Sequence, residues 1–179
     1  MGTGFWQNNP QNNNIESFET NGNVENRQNQ TPTQIQQKTH EIPRYWDTAA
    51  EGEKVWNYVQ QQEGDIKPRK QNLFSYGGSG VIGGAKTLHN FLRLRSKNYT
   101  DKYKHAIINC EAAQSGKGGY DLSNAFSNFK EDRDISSGRN TIDSSQADQY
   151  ANKIGRLLGT KYPNGNCDEI VQKYIKKRW

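Results

Sequence analysis

Apolar residues in this chain recur every three or four positions, and no segment shows a convincing strand-like alternation. That periodicity restricts the fold to packed helices. The last apolar segment is the cleanest case. Cys167, Ile170, Val171, Tyr174 and Ile175 fall at i, i+3, i+4, i+7 and i+8, one face of a helix. Asp168 and Glu169 open that helix and Lys176, Lys177 and Arg178 close it, which suits the helix dipole. Upstream, Trp46, Ala49, Ala50, Val55, Trp56 and Val59 mark a helix over about 45–62. A second runs to about Ser96, with Ala85, Leu88, Phe91, Leu92 and Leu94 as its expected buried side. Further helices are predicted over 101–114, over about 120–132 with Leu122, Ala125, Phe126 and Phe129, and from Ser144 or Ser145 with Ala147, Ala151, Ile154 and Leu158. The expected fold is all-α, a compact bundle of five to six helices.

The bundle is expected to start near residue 44. Residues 1–43 hold runs such as Gln7-Asn-Asn-Pro-Gln-Asn-Asn-Asn14 and few apolar anchors. Such a tract cannot bury enough surface to offset its ordering entropy, so it reads as a disordered Asn/Gln-rich leader or linker. Residues 44–179 form the predicted domain. Charge divides along the chain. Residues 1–65 carry four Lys/Arg and nine Asp/Glu, while residues 66–179 carry twenty and ten. A basic domain suits anionic lipid or nucleic acid, although any single cluster is equally read as a solvated surface. There is no legible signal peptide and no apolar run long enough to span a bilayer. Cys110 and Cys167 either form one disulfide or remain two buried thiols. The glycine-rich stretch Tyr76 to Ala85 lacks the Gly-Lys-Ser/Thr ending of a phosphate-binding loop, and reads as a flexible entry to the helix that follows.

Polar residues at helical spacing mark the candidate site. Asp101, His105 and Asn109 are four apart and stack on one face. Lys130, Glu131 and Asp134 end the next helix. Asp148, Asn152 and Arg156 are again four apart, beside Gly155, whose cost inside a helix suggests a close helix contact. One His with several carboxylates and two Asn can hold a general base, bind a divalent cation, or do both. Each element also has a plainer reading: a satisfied core histidine, a solvated acidic helix end, and surface asparagines.

Taken in order, Asp-x-Tyr-x-His-x-x-x-Asn-Cys, Lys-Glu-x-x-Asp and Asp-x-x-Ala-Asn-x-x-Gly resemble the C-terminal toxin domains of Rhs-type bacterial polymorphic toxins. Those domains look like the prokaryotic Wnt-like group of a lipid-associated α-helical superfamily. The resemblance covers about Asp101 to Gly159; Ala106 stands where many relatives have a second cysteine. It implies an antibacterial effector, a hydrolase or transferase acting on a phospholipid head group or a lipid-linked cell-wall precursor. The implied site is His105, Asn109, Glu131, Asp134, Asp148 and Asn152. His105, held by Asp101, would be the base. Glu131, Asp134 and Asp148 would bind calcium or magnesium, and Lys130 and Arg156 would contact phosphate. The implied partners are a cognate immunity protein, a delivery module or secretion apparatus, and an anionic membrane surface approached through the C-terminal cations and Trp179, with nucleic acid less favoured. The implied location is a target cell, at its membrane or periplasmic face. Rival readings are a metal-dependent nuclease toxin, a murein glycosidase built on Glu111, and a non-enzymatic binding domain with a structural His–Asp–Asn network.

Overall fold

A computed structural model describes residues 42–179. The expectation of a disordered leader over residues 1–43 falls almost wholly outside these residues. Among the described residues the secondary structure is entirely helical. In chain order the elements are α1 (Ala49–Glu63), α2 (Leu73–Arg95), α3 (Asp101–Ala113), α4 (Lys117–Ser136), α5 (Ile142–Lys161) and α6 (Cys167–Gln172). The all-α bundle is therefore as expected. Side-chain caps set most helix starts: the oxygens of Thr48, Asn72, Thr100, Thr141 and Asn166 accept backbone N–H groups of the first turns.

The core lies where α1, α3, α5 and α6 meet. Val55, Val59, Tyr103, Ile107, Ile154, Leu158, Val171 and Ile175 are buried there with Trp46. The indole N–H of Trp46 donates to the Ala147 carbonyl at 2.9 Å. Glycine brings α3 and α5 into backbone contact. A Cβ on Gly155 would stand 2.1 Å from the Ala106 oxygen, and one on Gly159 would stand 2.2 Å from that of Cys110. The close contact inferred from Gly155 is thus present, and it places the polar residues of the two helices within hydrogen-bond reach. Cys110 and Cys167 form a disulfide, which ties α3 to α6 and closes a long loop in the unfolded chain.

Three elements differ from their sequence reading. α2 begins at Leu73 and runs through the glycine-rich stretch, which is helix rather than a flexible entry. Gly80, Gly83 and Gly84 face α4, whereas Gly77 and Gly78 meet nothing: a Cβ on Gly83 would lie 2.4 Å from the Gly119 Cα, and one on Gly118 of α4 would lie 2.1 Å from the Tyr76 oxygen. The burial of α2 is also inverted. Ser79, Gly83, Thr87 and Asn90 face inward with Leu94, while Leu88 and Leu92 are exposed. Finally, α6 stops at Gln172. Tyr174 and Ile175 still pack on the core, but the chain beyond is held by backbone contacts instead, from Lys176 N–H to the Arg44 carbonyl and from Thr100 N–H to the Lys177 carbonyl.

Candidate functional site

Two features stand out: a polar centre between α3, α4 and α5, and an apolar face on α2 and α4. The polar centre contains most of the sequence-selected residues. Arg156 is buried and donates to Asn109 Oδ1 at 2.8 Å. The Asn109 amide nitrogen donates to Asn152 Oδ1 at 2.8 Å and to Ser127 Oγ at 3.2 Å. Asn152 Oδ1 in turn faces His105 Nδ1 at 3.0 Å. Asn152 therefore holds the imidazole. Asp101, the expected partner one turn earlier, lies 3.8 Å from Nε2, beyond hydrogen-bonding distance.

The carboxylates separate into two groups. Asp148 is buried and accepts from the buried ammonium of Lys102 at 2.5 Å. Burial, the largest influence, holds its carboxyl above the ordinary value despite the cations beside it. Glu131 accepts from Lys130 at 3.0 Å and from Ser145 at 2.8 Å. Asp134 turns away, to Lys130 at 3.1 Å and Arg139 at 3.4 Å. Burial raises its carboxyl, but Lys130 and the two nearby arginines outweigh that and hold it below the ordinary range. Glu131, Asp134 and Asp148 thus do not converge as a metal-binding set. The acidic and imidazole atoms that do gather, all within 4.8 Å of one another, belong to Asp101, His105 and Asp148. Arg156 faces the interior, its guanidinium 5.7 Å from the centre of the Tyr120 ring. Burial, which disfavours its charged form, lowers its pKa.

Sequence reasoning did not find Lys102. Its signal was its phase: Lys102, Ala106, Asn109 and Ala113 are at i, i+4, i+7 and i+11, and all are buried on α3. Beside the centre opens a cavity of about 200 Å³ whose lining mixes apolar residues (Phe91, Leu94, Ile108 and Phe126) with polar ones that include Asp101 and His105.

The apolar face continues from that cavity. Phe74, Val81, Leu88 and Leu92 on α2 are exposed, as are Leu122, Phe126 and Phe129 on α4. The four on α2 are at i, i+7, i+14 and i+18, so they form one stripe. The α4 residues are at i, i+4 and i+7. Phe91 and Phe126 meet edge to face at 6.2 Å and join the two stripes. Among the described residues no helix is long and apolar enough to cross a membrane.

The sequence model of the serum amyloid A protein family matches residues 74–174, more than half of the chain. Serum amyloid A-2 protein of Oryctolagus cuniculus is 39% identical over 88 residues, which cover 48% of this chain and 71% of that protein. Serum amyloid A-1 protein of the same animal is 38% identical over 88 residues, with the same coverage. No solved structure matches the chain. These matches overturn the resemblance to Rhs-type toxins, because all three motifs that carried it lie inside the matched span. The antibacterial role goes with it, as do its nuclease and murein-glycosidase rivals and the hydrolase or transferase activity. The immunity protein, the secretion apparatus, the anionic membrane target and delivery into a target cell fall for the same reason, since the relatives are animal serum proteins. His, Asp and Asn four apart on a helix serve a structural network as well as a reaction, so spacing did not distinguish the two. The chain belongs to the serum amyloid A family.

Proposed function

We propose that the chain binds the surface of lipid particles through the apolar face of α2 and α4. The observation that carries this is the inversion of α2. A helix packed on a globular core normally turns its large apolar residues inward. Here serine, glycine, threonine and asparagine face inward, and Phe74, Val81, Leu88 and Leu92 face water. α2 has 23 residues, about 35 Å at 1.5 Å per residue. The stripe from Phe74 to Leu92 covers about 27 Å of that length, which makes it a binding surface rather than scattered exposure. Lys86, Arg93 and Arg95 lie on the same helix, where their aliphatic stems can run along lipid while the charges reach the head groups. The relatives are named as serum proteins, and lipid particles are an apolar surface that serum offers. Burying the four α2 side chains is worth about 1.5–3 kcal/mol each, enough to outweigh several kcal/mol of lost freedom on association.

The test uses phosphatidylcholine vesicles, so that apolar burial rather than net charge decides the outcome. The full chain should float with the vesicles. Val81→Asp with Leu88→Asp should lower the bound fraction more than tenfold while circular dichroism stays unchanged. The proposal fails if the double variant binds as well as the parent. It also fails if the parent ignores vesicles and sedimentation shows that the face pairs two copies of the chain instead.

A further inference from the structure

The polar centre has a nitrogen that nothing in it uses. Arg156 can only donate hydrogen bonds, and its Nη1 meets Asn109 Oδ1 at 2.8 Å. That contact orients the Asn109 amide, so the atom it presents to Asn152 Oδ1 at 2.8 Å is Nδ2, a donor. Asn152 Oδ1 is then an acceptor, and His105 Nδ1, 3.0 Å away, carries the hydrogen. With Nδ1 engaged by Asn152, Nε2 is the ring nitrogen left to take a metal ion. The His105 side chain is nine-tenths buried, with only 10% of its surface exposed. Nε2 faces Asp148 Oδ2 at 3.6 Å, Asp101 Oδ1 at 3.8 Å and Glu131 Oε1 at 3.9 Å.

Those distances decide what belongs there. They exceed the roughly 3.2 Å limit of an N–H···O hydrogen bond. They are close to the spacing of two ligands on one ion, since donors about 2.1 Å from a tetrahedral zinc stand roughly 3.4 Å apart. Glu131 is committed elsewhere, with one oxygen on Lys130 and the other on Ser145. Asp148 places one oxygen on Lys102 and the other toward His105, where Asn140 Nδ2 donates to it at a long 3.4 Å. Asp101 has a side chain more than half exposed, with one oxygen toward His105 and the other 3.6 Å from the Lys102 ammonium.

We propose that Asp101, His105 and Asp148 form a zinc site, with Asn152 fixing the tautomer that presents Nε2. One imidazole and two carboxylates are a donor set for zinc rather than for calcium or magnesium, which take oxygen. A histidine ligand that donates its other N–H to an acceptor is the usual supporting arrangement. The fourth position opens toward the cavity lined by Asp101 and His105, where water completes the shell.

The experiment titrates zinc chloride into the lipid-free full chain after chelator treatment, followed by calorimetry, with cobalt(II) as a spectroscopic stand-in. The expected result is one saturable equivalent and visible cobalt absorption bands. Asp101→Asn alters an exposed side chain and should fold normally while weakening zinc binding roughly tenfold or more. His105→Gln should abolish the cobalt bands, and His89→Gln, on the exposed side of α2, should leave them intact. Absence of saturable binding would overturn the site, as would binding that survives both the Asp101 and His105 substitutions. Because no lipid is present, the result is independent of the fate of the α2–α4 face.

Discussion

The α3–α5 pair and the α2–α4 pair both meet through glycine, yet they send their large apolar residues in opposite directions. In α3–α5, Gly155 and Gly159 touch the backbone of Ala106 and Cys110, and Tyr103, Ile107, Ile154 and Leu158 are sealed in the core around that contact. In α2–α4, Gly83 and Gly118 make contacts just as close, but Phe74, Val81, Leu88 and Phe129 point outward. Close backbone approach therefore says nothing by itself about where a core lies. In the first pair it draws Asn109 and Asn152 together and fixes a buried network. In the second it lets two helices pack on small side chains so that their apolar stripes stay free for something else.

The sharpest way to break this contrast is to place one charge in each pair. Ile154→Asp removes a fully buried side chain and leaves an unpaired carboxylate in the core. The lost transfer energy, about 2–3 kcal/mol, adds to a desolvation cost of several more. The sum approaches the whole stability of a small domain, so the variant should be unfolded in water by circular dichroism. Leu88→Asp introduces the same group on the outer stripe and should change the urea midpoint by no more than about 0.5 kcal/mol of stability. Equal damage from both would mean that the α2 stripe is packed in solution and the two pairs are alike.

Much of α5 was legible because Ala147, Ala151, Ile154 and Leu158 repeat at helical spacing and all face the core. α2 was not legible in either its start or its face. Each glycine in a helix costs about 1 kcal/mol against alanine, so a run of them reads as a loop. What offsets that cost is contact with α4, a tertiary fact absent from local sequence. The expectation that Leu88 and Leu92 are buried failed for a related reason: periodicity reports that a helix is amphipathic, not which side meets the protein. At the polar centre, His105, Asn109, Asp148 and Asn152 do come together. The meeting of Lys102 with Asp148, 46 positions along the chain, depends on the crossing of α3 and α5. The family match overturns the enzymatic activity read into these residues, because a short motif does not separate a network from a catalyst.

A second prediction concerns that pair. Lys102 and Asp148 have side chains only 3% and 4% exposed, so neither can turn to water if the other is lost. Lys102→Met should cost about 3–5 kcal/mol in urea unfolding, most of it the penalty of a buried carboxylate left without its lysine. Adding Asp148→Asn to the same chain should recover part of the loss, because the stranded charge is gone. A single variant as stable as the parent would show that the centre is wetter than its burial implies, and nearer in character to the exposed α2–α4 face.

The smallest effect expected is a pH dependence that belongs to the core side alone. Glu63 ends α1 and accepts from Lys161 at 2.7 Å, from Tyr162 at 2.8 Å and from the Tyr174 hydroxyl. Burial pushes its carboxyl up, but the hydrogen bonds from Lys161, Tyr174 and Tyr162 outweigh burial and hold it below its ordinary value of 4.5. A carboxyl depressed in the folded state binds its proton more readily once unfolded. Its stabilisation is therefore fully present above the unfolded pKa and is lost as pH falls through the folded value. Stability measured from pH 7 downward should decline in the parent, and Glu63→Gln should flatten the part of the decline that begins near pH 4.5. The matching ion pair of the other region, Lys117 with Asp121, lies in solvent at 2.5 Å with side chains 38% and 34% exposed. Water screens both charges of such an exposed pair, so Asp121→Asn should barely alter the curve. If the two substitutions flatten it equally, the acid sensitivity comes from surface charge in general, and Glu63 does not anchor α1 to α5 and the C-terminal segment in the way its three donors suggest.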